Sequence, residues 1–443
     1  MSTVVQFPKG KALYSPISQF LRVGEHHRVF GDLWAAGNLG IRRVVFEAGR
    51  LKRQGGLLKT LKSEGVEITI DTGAAEVSSK ARFSTFVGKS PWLEERPNAP
   101  LGPKSYNLET IDRIAQMAVD FGIDRVLAPS HYLGDRNYED WLNIDFRSVE
   151  YLRNALDKLG GGSICIDYPL IDSVQSLQDT LHRNMIVEGL SNLPVDTVWF
   201  RLSGLGKEPG PQKIRSMIKM LGKFHNLGRP LILDYCSELN FLAAEAFGVA
   251  SGASCGLLEL DQFNAGQWHQ EPKPRDPNGG FRRKQMVPLL GFGQGMSVND
   301  FNALASARGG RRVLLQSDFI EAKSIEDLIQ NKKMYSARHL NGSINDLEMV
   351  PDLNRVEHLL SKTFNSCQRR AKEINKLKID EKLSNFGDDL VDRLNKRKKK
   401  LFENTEKVTS ALEKLSEELG RDAPRVRSCE LNLVDSTRIG GQG

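Results

Sequence analysis

The sequence predicts an α/β protein, a (β/α)8 barrel of the TIM type with a helical C-terminal extension, and three observations lead there. From Arg42 onward, short β-branched runs alternate with longer segments of helical spacing, the pattern of repeated β/α units. Most of these runs stay apolar until a final charged residue. The first unit lacks the GxGxxG turn of a dinucleotide fold, which ranks the barrel above its main rival, a doubly wound open sheet.

In chain order the predicted strands are Arg43–Glu47 (RVVFE), Val66–Asp71 (VEITID), Arg125–Ala128 (RVLA), Ser163–Asp167 (SICID), Thr197–Arg201 (TVWFR), Pro230–Asp234 (PLILD) and Cys255–Glu259 (CGLLE). An eighth is expected at Met286–Leu290 or Arg311–Leu315. These runs favour a pleated, buried surface. Helices are expected over Asn107–Phe121, entered through an asparagine and stopped by Gly122, and over Phe146–Leu159, stopped by Gly160. A third, Pro211–Leu227, opens on a proline and stops at Gly228, the usual asymmetry of helix ends. The proline-rich stretches Lys89–Lys104 and Gln270–Gly280 follow strands and are placed as loops over one rim.

The expected organisation is an N-terminal segment over 1–41, the barrel over 42–349, a helical extension over 350–420 and a flexible tail over 421–443. In the extension, Leu383, Phe386, Leu390, Leu394, Leu401, Val408, Leu412, Leu415 and Leu419 recur mostly at three, four or seven residues. That seam suits a coiled coil between copies or packing against the barrel, and the periodicity does not choose.

With 443 residues, 40% of them hydrophobic, the chain can bury a large core. Five cysteines without CxxC spacing argue against a disulfide framework and for a reducing, cytoplasmic setting. No apolar run nears the ~18 residues of a membrane span, and the N-terminus lacks the apolar core of an export signal. The net charge of +7 favours an anionic partner. Its excess is concentrated in Arg282, Arg283, Lys284 and in Lys396, Arg397, Lys398, Lys399, Lys400, which makes both clusters candidate nucleic-acid contacts.

The predicted strand ends form a ring of functional groups: Glu47, Asp71, Ser130 or His131, Asp167, Arg201, Asp234 and Glu259. Barrel enzymes keep their active sites at this end. Crowded carboxylates raise one pKa and leave another ionised, the arrangement acid–base or nucleophilic work needs. Arg201 is suited to an anion, while Ser203–Gly206 (SGLG) and Gly291–Gly295 (GFGQG) let backbone amides approach a phosphate or a base. With no HExxH or Cys/His zinc set, no metal or other cofactor is expected.

The segment Ile70–Phe83, IDTGAAEVSSKARF, resembles the tRNA-guanine transglycosylase superfamily, as do RLSGLG at Arg201–Gly206, RPLILDYCSELNFLAAEAFG at Arg229–Gly248 and YSARHL at Tyr335–Leu340. The helix from Asn107 and the FGIDRVLAP that follows it are similar to the same family, in the same order. The resemblance implies that Asp71 contacts a base or acts as general acid/base, with Glu259 or Asp261 standing in for the family's nucleophilic aspartate. The family's zinc cysteines are missing from VLLQSDFIEA at Val313–Ala322, and Ala128-Pro129-Ser130-His131 stands where an aspartate is expected.

The expected function is therefore a transglycosylase-like barrel acting on an N-glycosidic bond of a nucleic acid or nucleotide, by base exchange or hydrolysis. Asp71, Asp234, Glu259 and Asp261 are its catalytic candidates; Glu47, His131, Asp167, Arg201, Ser203 and Gly204 are its substrate-binding candidates. One alternative is a non-catalytic subunit that binds nucleic acid or protein. Another is a barrel enzyme acting on a small anionic metabolite, although no predicted strand ends in the lysine of a Schiff-base enzyme.

Overall fold

Parallel strands β1 (Ser18–Arg22), β2 (Arg43–Glu47), β3 (Glu67–Asp71), β4 (Arg125–Leu127), β5 (Cys165–Ser173), β6 (Thr197–Ser203), β7 (Leu231–Asp234) and β8 (Gly252–Gly256) close into one barrel in chain order. The structure is a computed structural model and describes residues 16–79, 89–93, 102–135, 137–206, 208, 210–258, 263–268, 285–379 and 390–419. Helices follow most strands, among them His27–Ala35, Leu51–Ser63, Glu109–Asp120, Tyr138–Lys158, Thr180–Ser191, Pro211–Leu221 and Glu238–Ala246.

Because side chains alternate across a strand, every second residue faces the barrel interior, where the fillings stack in layers. The middle layer is apolar: Phe20, Val45, Leu127, Trp199 and Ile232 form one buried cluster, with the Phe20 and Trp199 rings edge to face at 4.6 Å. Two residues toward the amino ends lies an ionic layer. Arg125 grips Asp167 through two bonds of 2.8 and 2.6 Å, and Glu67 receives Arg43 at 3.3 Å. Two residues toward the carboxyl ends lie Arg22, Asp71, Arg201 and Asp234.

The barrel closes between β1 and β8, where Ser18 is in register with Gly252. A Cβ at position 252 would lie 2.2 Å from the Ser18 carbonyl oxygen, so glycine is required by close approach of backbone. Gly252→Ala is expected to cost about 1–3 kcal/mol by overpacking, read as a lower urea midpoint; a change within about 0.5 kcal/mol would mean that the seam yields freely.

Several expectations are corrected. β1 lies inside the segment placed before the barrel, and β8 begins three residues before the predicted Cys255. The candidates for the last strand lie outside the barrel: Met286–Leu289 pairs antiparallel with Gln294–Ser297, β9 and β10, and Gly310–Leu315 is helical. The GFGQG stretch turns that hairpin, with Gly291 and Gly293 at φ 79° and 61°. β5 runs to Ser173, six residues past the predicted end at Asp167, because Arg125 neutralises that aspartate inside the barrel.

The predicted helix ends appear in part: the first helix begins at Glu109 with Leu108 at its N-cap, and the third ends at Leu221 and continues to Gly228 as a 3-10 helix. Asn107 Oδ1 accepts the Glu109 amide at 2.9 Å, and Gly122, Gly160 and Gly228 take positive φ. The helix ending before Gly160 starts at Tyr138 rather than Phe146. In the extension, Leu390–Leu419 is one 30-residue helix. Leu394, Leu401, Val408, Leu412 and Leu415 are buried within the chain's own two main apolar clusters, so this seam packs against its own chain. Leu383, Phe386, the Gln270–Gly280 stretch and the tail from Arg421 lie outside the described residues. No helix of the described residues is long and apolar enough to cross a membrane.

Candidate active site

The carboxyl-end layer of the barrel is a closed circuit of two arginines and two aspartates. Arg22, last residue of β1, grips Asp234 through Nε–Oδ1 at 2.8 Å and Nη2–Oδ2 at 2.6 Å, and reaches Asp71 Oδ2 from Nη1 at 2.9 Å. Arg201 of β6 donates Nε to Asp234 Oδ2 at 2.6 Å and Nη2 to Asp71 Oδ2 at 2.5 Å. The formal charges cancel. All four residues are 5% exposed or less, and buried charges persist only when paired and hydrogen-bonded in this way.

An ionised carboxylate offers about four acceptor sites. Asp234 fills them with two bonds from Arg22, one from Arg201 and one from the Tyr235 amide at 3.1 Å. Asp71 receives both arginines and the Gly73 amide at 3.1 Å, leaving one site open among the described residues. Burial alone would raise the Asp71 carboxyl, but Arg201 and Arg22 outweigh it and hold the pKa below the ordinary value. Burial likewise disfavours both guanidinium charges, and the aspartates override it, so both arginines stay charged.

Tyr235 completes the circuit. It takes a left-handed backbone, φ 53°, which a bulky residue adopts only where its surroundings impose it. The sharp turn after β7 brings its hydroxyl within 3.0 Å of Arg22 Nη1 and its ring over that guanidinium at 4.2 Å.

Beside the circuit stands Glu76, on the single helical turn Ala74–Val77 that leaves Gly73. It is half-buried, and its carboxyl makes no hydrogen bond to the described residues. Burial, then the charge of Asp71, push its pKa up to about 8, against the pull of Arg201. Two carboxyl groups at one barrel mouth are thus driven apart, Asp71 ionised and Glu76 protonated near neutrality.

The other sequence-predicted residues fall as follows. Glu47 ends β2 and is paired with Arg50. His131, buried after β4, lies between Asp145 and Ser78. Ser203 Oγ accepts the Ala265 amide at 3.0 Å, and Gly204, φ 82°, offers its carbonyl to Lys213 Nζ at 2.6 Å. Asp167 belongs to the opposite layer; β5 ends at Ser173, in register with Ser203, while Asp172 faces the outer helix and is held by His182 Nε2 at 2.6 Å. Glu259, Asp261, Arg282, Arg283 and Lys284 lie outside the described residues.

The basic run at the extension is partly consumed by packing. Lys398 is 4% exposed and donates to the Leu377 carbonyl. Arg397 donates to the Gly295 carbonyl, whereas Lys396, Lys399 and Lys400 are exposed. Lys398→Glu is expected to destabilise by about 2–3 kcal/mol through a lost charged hydrogen bond, and Lys399→Glu by no more than about 0.5. Thermal unfolding of the two variants separates these outcomes; equal shifts would place both lysines in solvent.

Sequence reasoning missed Arg22, Glu76, Tyr235, Ser78 and Asp145. A signal existed for Arg22, since SQFLR has the same charge-terminated form as the other strands. No local signal marks Glu76 or Asp145, whose environments arise only when distant elements meet. No family model matches this chain, and neither does any curated protein.

Proposed function

We propose that the barrel is an enzyme that cleaves the N-glycosidic bond of a nucleotide or nucleic acid, with Glu76 as general acid and Asp71 as a contact to the base. The observation that carries this reading is the divergence of the two carboxyl groups: environments that split neighbouring pKa values in this way assign an acid and an ionised partner. Asp71 keeps one acceptor site open, and protonated Glu76 supplies a donor, a pair complementary to a base edge with one donor and one acceptor. Enzymes that act on a base read it by such contacts in a pocket.

In the step proposed, the bond from the anomeric carbon to the base breaks and its electron pair stays with the base. Glu76 gives its proton to the base and becomes a carboxylate. In hydrolysis water captures the sugar cation and gives a proton to the Glu76 carboxylate. In base exchange Glu259 or Asp261, from the segment after β8, captures the cation until a second base displaces that carboxylate and gives its N–H proton to Glu76. The resemblance to tRNA-guanine transglycosylases supports the same substrate class, and the exposed lysines Lys396, Lys399 and Lys400 suit a polyanionic substrate.

The test is release of free base from RNA, single-stranded DNA and nucleosides, together with incorporation of radiolabelled free base into RNA. Release or incorporation that depends on Glu76 supports the proposal. Complete inactivity on all of these overturns it.

A further inference from the structure

Outside the arginine–aspartate circuit, a second set of groups meets beside the turn that carries Glu76. Ser78 caps the turn that carries Glu76 and is half-buried. Its Oγ lies 3.0 Å from His131 Nε2, and His131 Nδ1 lies 2.6 Å from Asp145 Oδ1. Asp145 comes from the helix Tyr138–Lys158 and His131 from the segment after β4, so tertiary structure alone assembles the line.

The histidine is fixed from several sides. Trp141 stacks on the ring at 3.9 Å with planes 21° apart, and Tyr106 meets it edge-on at 4.8 Å. Asp145 Oδ2 accepts the His131 amide at 3.1 Å and the Tyr168 hydroxyl at 3.0 Å. The ring therefore cannot turn its Nε2 away from Ser78 without breaking the Asp145 contacts. His131 and Asp145 are 2% and 0% exposed, while the serine at the end of the line is half-buried.

We propose that Ser78 Oγ is a nucleophile activated by His131 and positioned by Asp145, giving this protein a carboxylic-ester hydrolase activity separate from glycosidic chemistry. This is the arrangement in which a base activates a hydroxyl while a third group orients the base. Ser78 Oγ also lies 3.0 Å from the Ala74 carbonyl. A hydroxyl has one hydrogen, and rotation about Cβ–Oγ moves it from that carbonyl to Nε2. A helix-capping serine needs only the Ala74 bond, whereas a carboxylate sealed behind a clamped imidazole is costly to build.

In the acylation step the Oγ–C bond forms, the serine proton passes to Nε2, and the alkoxide leaves with that proton. Water then attacks the acyl-serine, giving one proton to Nε2, which returns it to Oγ as the acid departs. The inference does not rest on Glu76 acting as an acid.

The full-length protein, treated with a biotinylated alkyl fluorophosphonate, reports on this directly. The P–F bond breaks as Oγ–P forms, and tandem mass spectrometry locates the adduct. Modification is expected at Ser78 rather than Ser79, absent in Ser78→Ala and slowed about 10³-fold or more in His131→Gln. The groups facing the ring are Asp145, Tyr106, Trp141 and Ser78, with Tyr168 behind Asp145. Asp145→Asn should slow labelling while circular dichroism stays unchanged. Absence of an adduct at Ser78 in the folded wild type, or labelling indifferent to His131→Gln, overturns the proposal.

Discussion

Arg22→Leu is expected to cost about 3–5 kcal/mol of folding stability at pH 7, as breaking a buried ion pair by removing one partner does. Arg22 supplies two of the bonds to Asp234 and one to Asp71, and leucine leaves Arg201 alone between two buried carboxylates. The deficit should depend on pH. In the wild type the Asp71 carboxyl is depressed, so its contribution is present above the ordinary carboxylate pKa and is lost only as pH falls through the lower folded value. Without Arg22 that carboxyl is released upward, takes up a proton, and the gap to wild type narrows on acidification. Urea unfolding at pH 7 and pH 5 measures both effects; a loss below about 1 kcal/mol, or one independent of pH, would show that the circuit is not held by charge.

Glu76→Gln should remove about 10²–10⁴-fold of the glycosidic activity, the usual worth of a positioned general acid, because the amide keeps the shape and has no proton to transfer. The same substitution should leave the protein as stable as wild type or more so at alkaline pH. The folded pKa of Glu76 is raised from 4.5 to about 8, so its stabilising contribution is present below about 4.5 and is lost as pH rises through about 8. Glutamine eliminates that loss. With the side chain partly exposed, the gain at pH 8.5 is on the order of 1–2 kcal/mol. Activity within threefold of wild type, with an unchanged pH–stability curve, would remove Glu76 from the mechanism.

How much of this was legible in the sequence depends on whether the information was local. Asp71, Arg201 and Asp234 each end or nearly end an apolar run, and period-two alternation sends all three inward on one layer of the barrel. Asp167 looks identical in sequence. It misleads because Arg125, forty-two residues earlier, neutralises it, and the strand continues through Tyr168 and Pro169 to Ser173, the inward-facing residue at its end. β1 hides because SQFLR is short and has little β-branched content, and its missing place in the count pushed the eighth strand past the barrel. Glu76 carries no signal: its proton affinity comes from Asp71 and from burial under neighbouring elements, and YEDWLNIDF marks no special role for Asp145. The charge run at Arg397–Lys400 shows the converse, since helical periodicity buries Lys398 on the seam while Lys399 and Lys400 stay outside.

The titration of Glu76 tests the account most directly. With glutamate labelled by carbon-13 at Cδ, the carboxyl resonances are followed from pH 4 to 10 in wild type and Glu76→Gln. One resonance is expected to titrate near pH 8 in the wild type and to be missing from the variant. If every glutamate titrates below about pH 5, Glu76 is ionised at neutrality, the split between it and Asp71 does not exist, and the general-acid role fails with it.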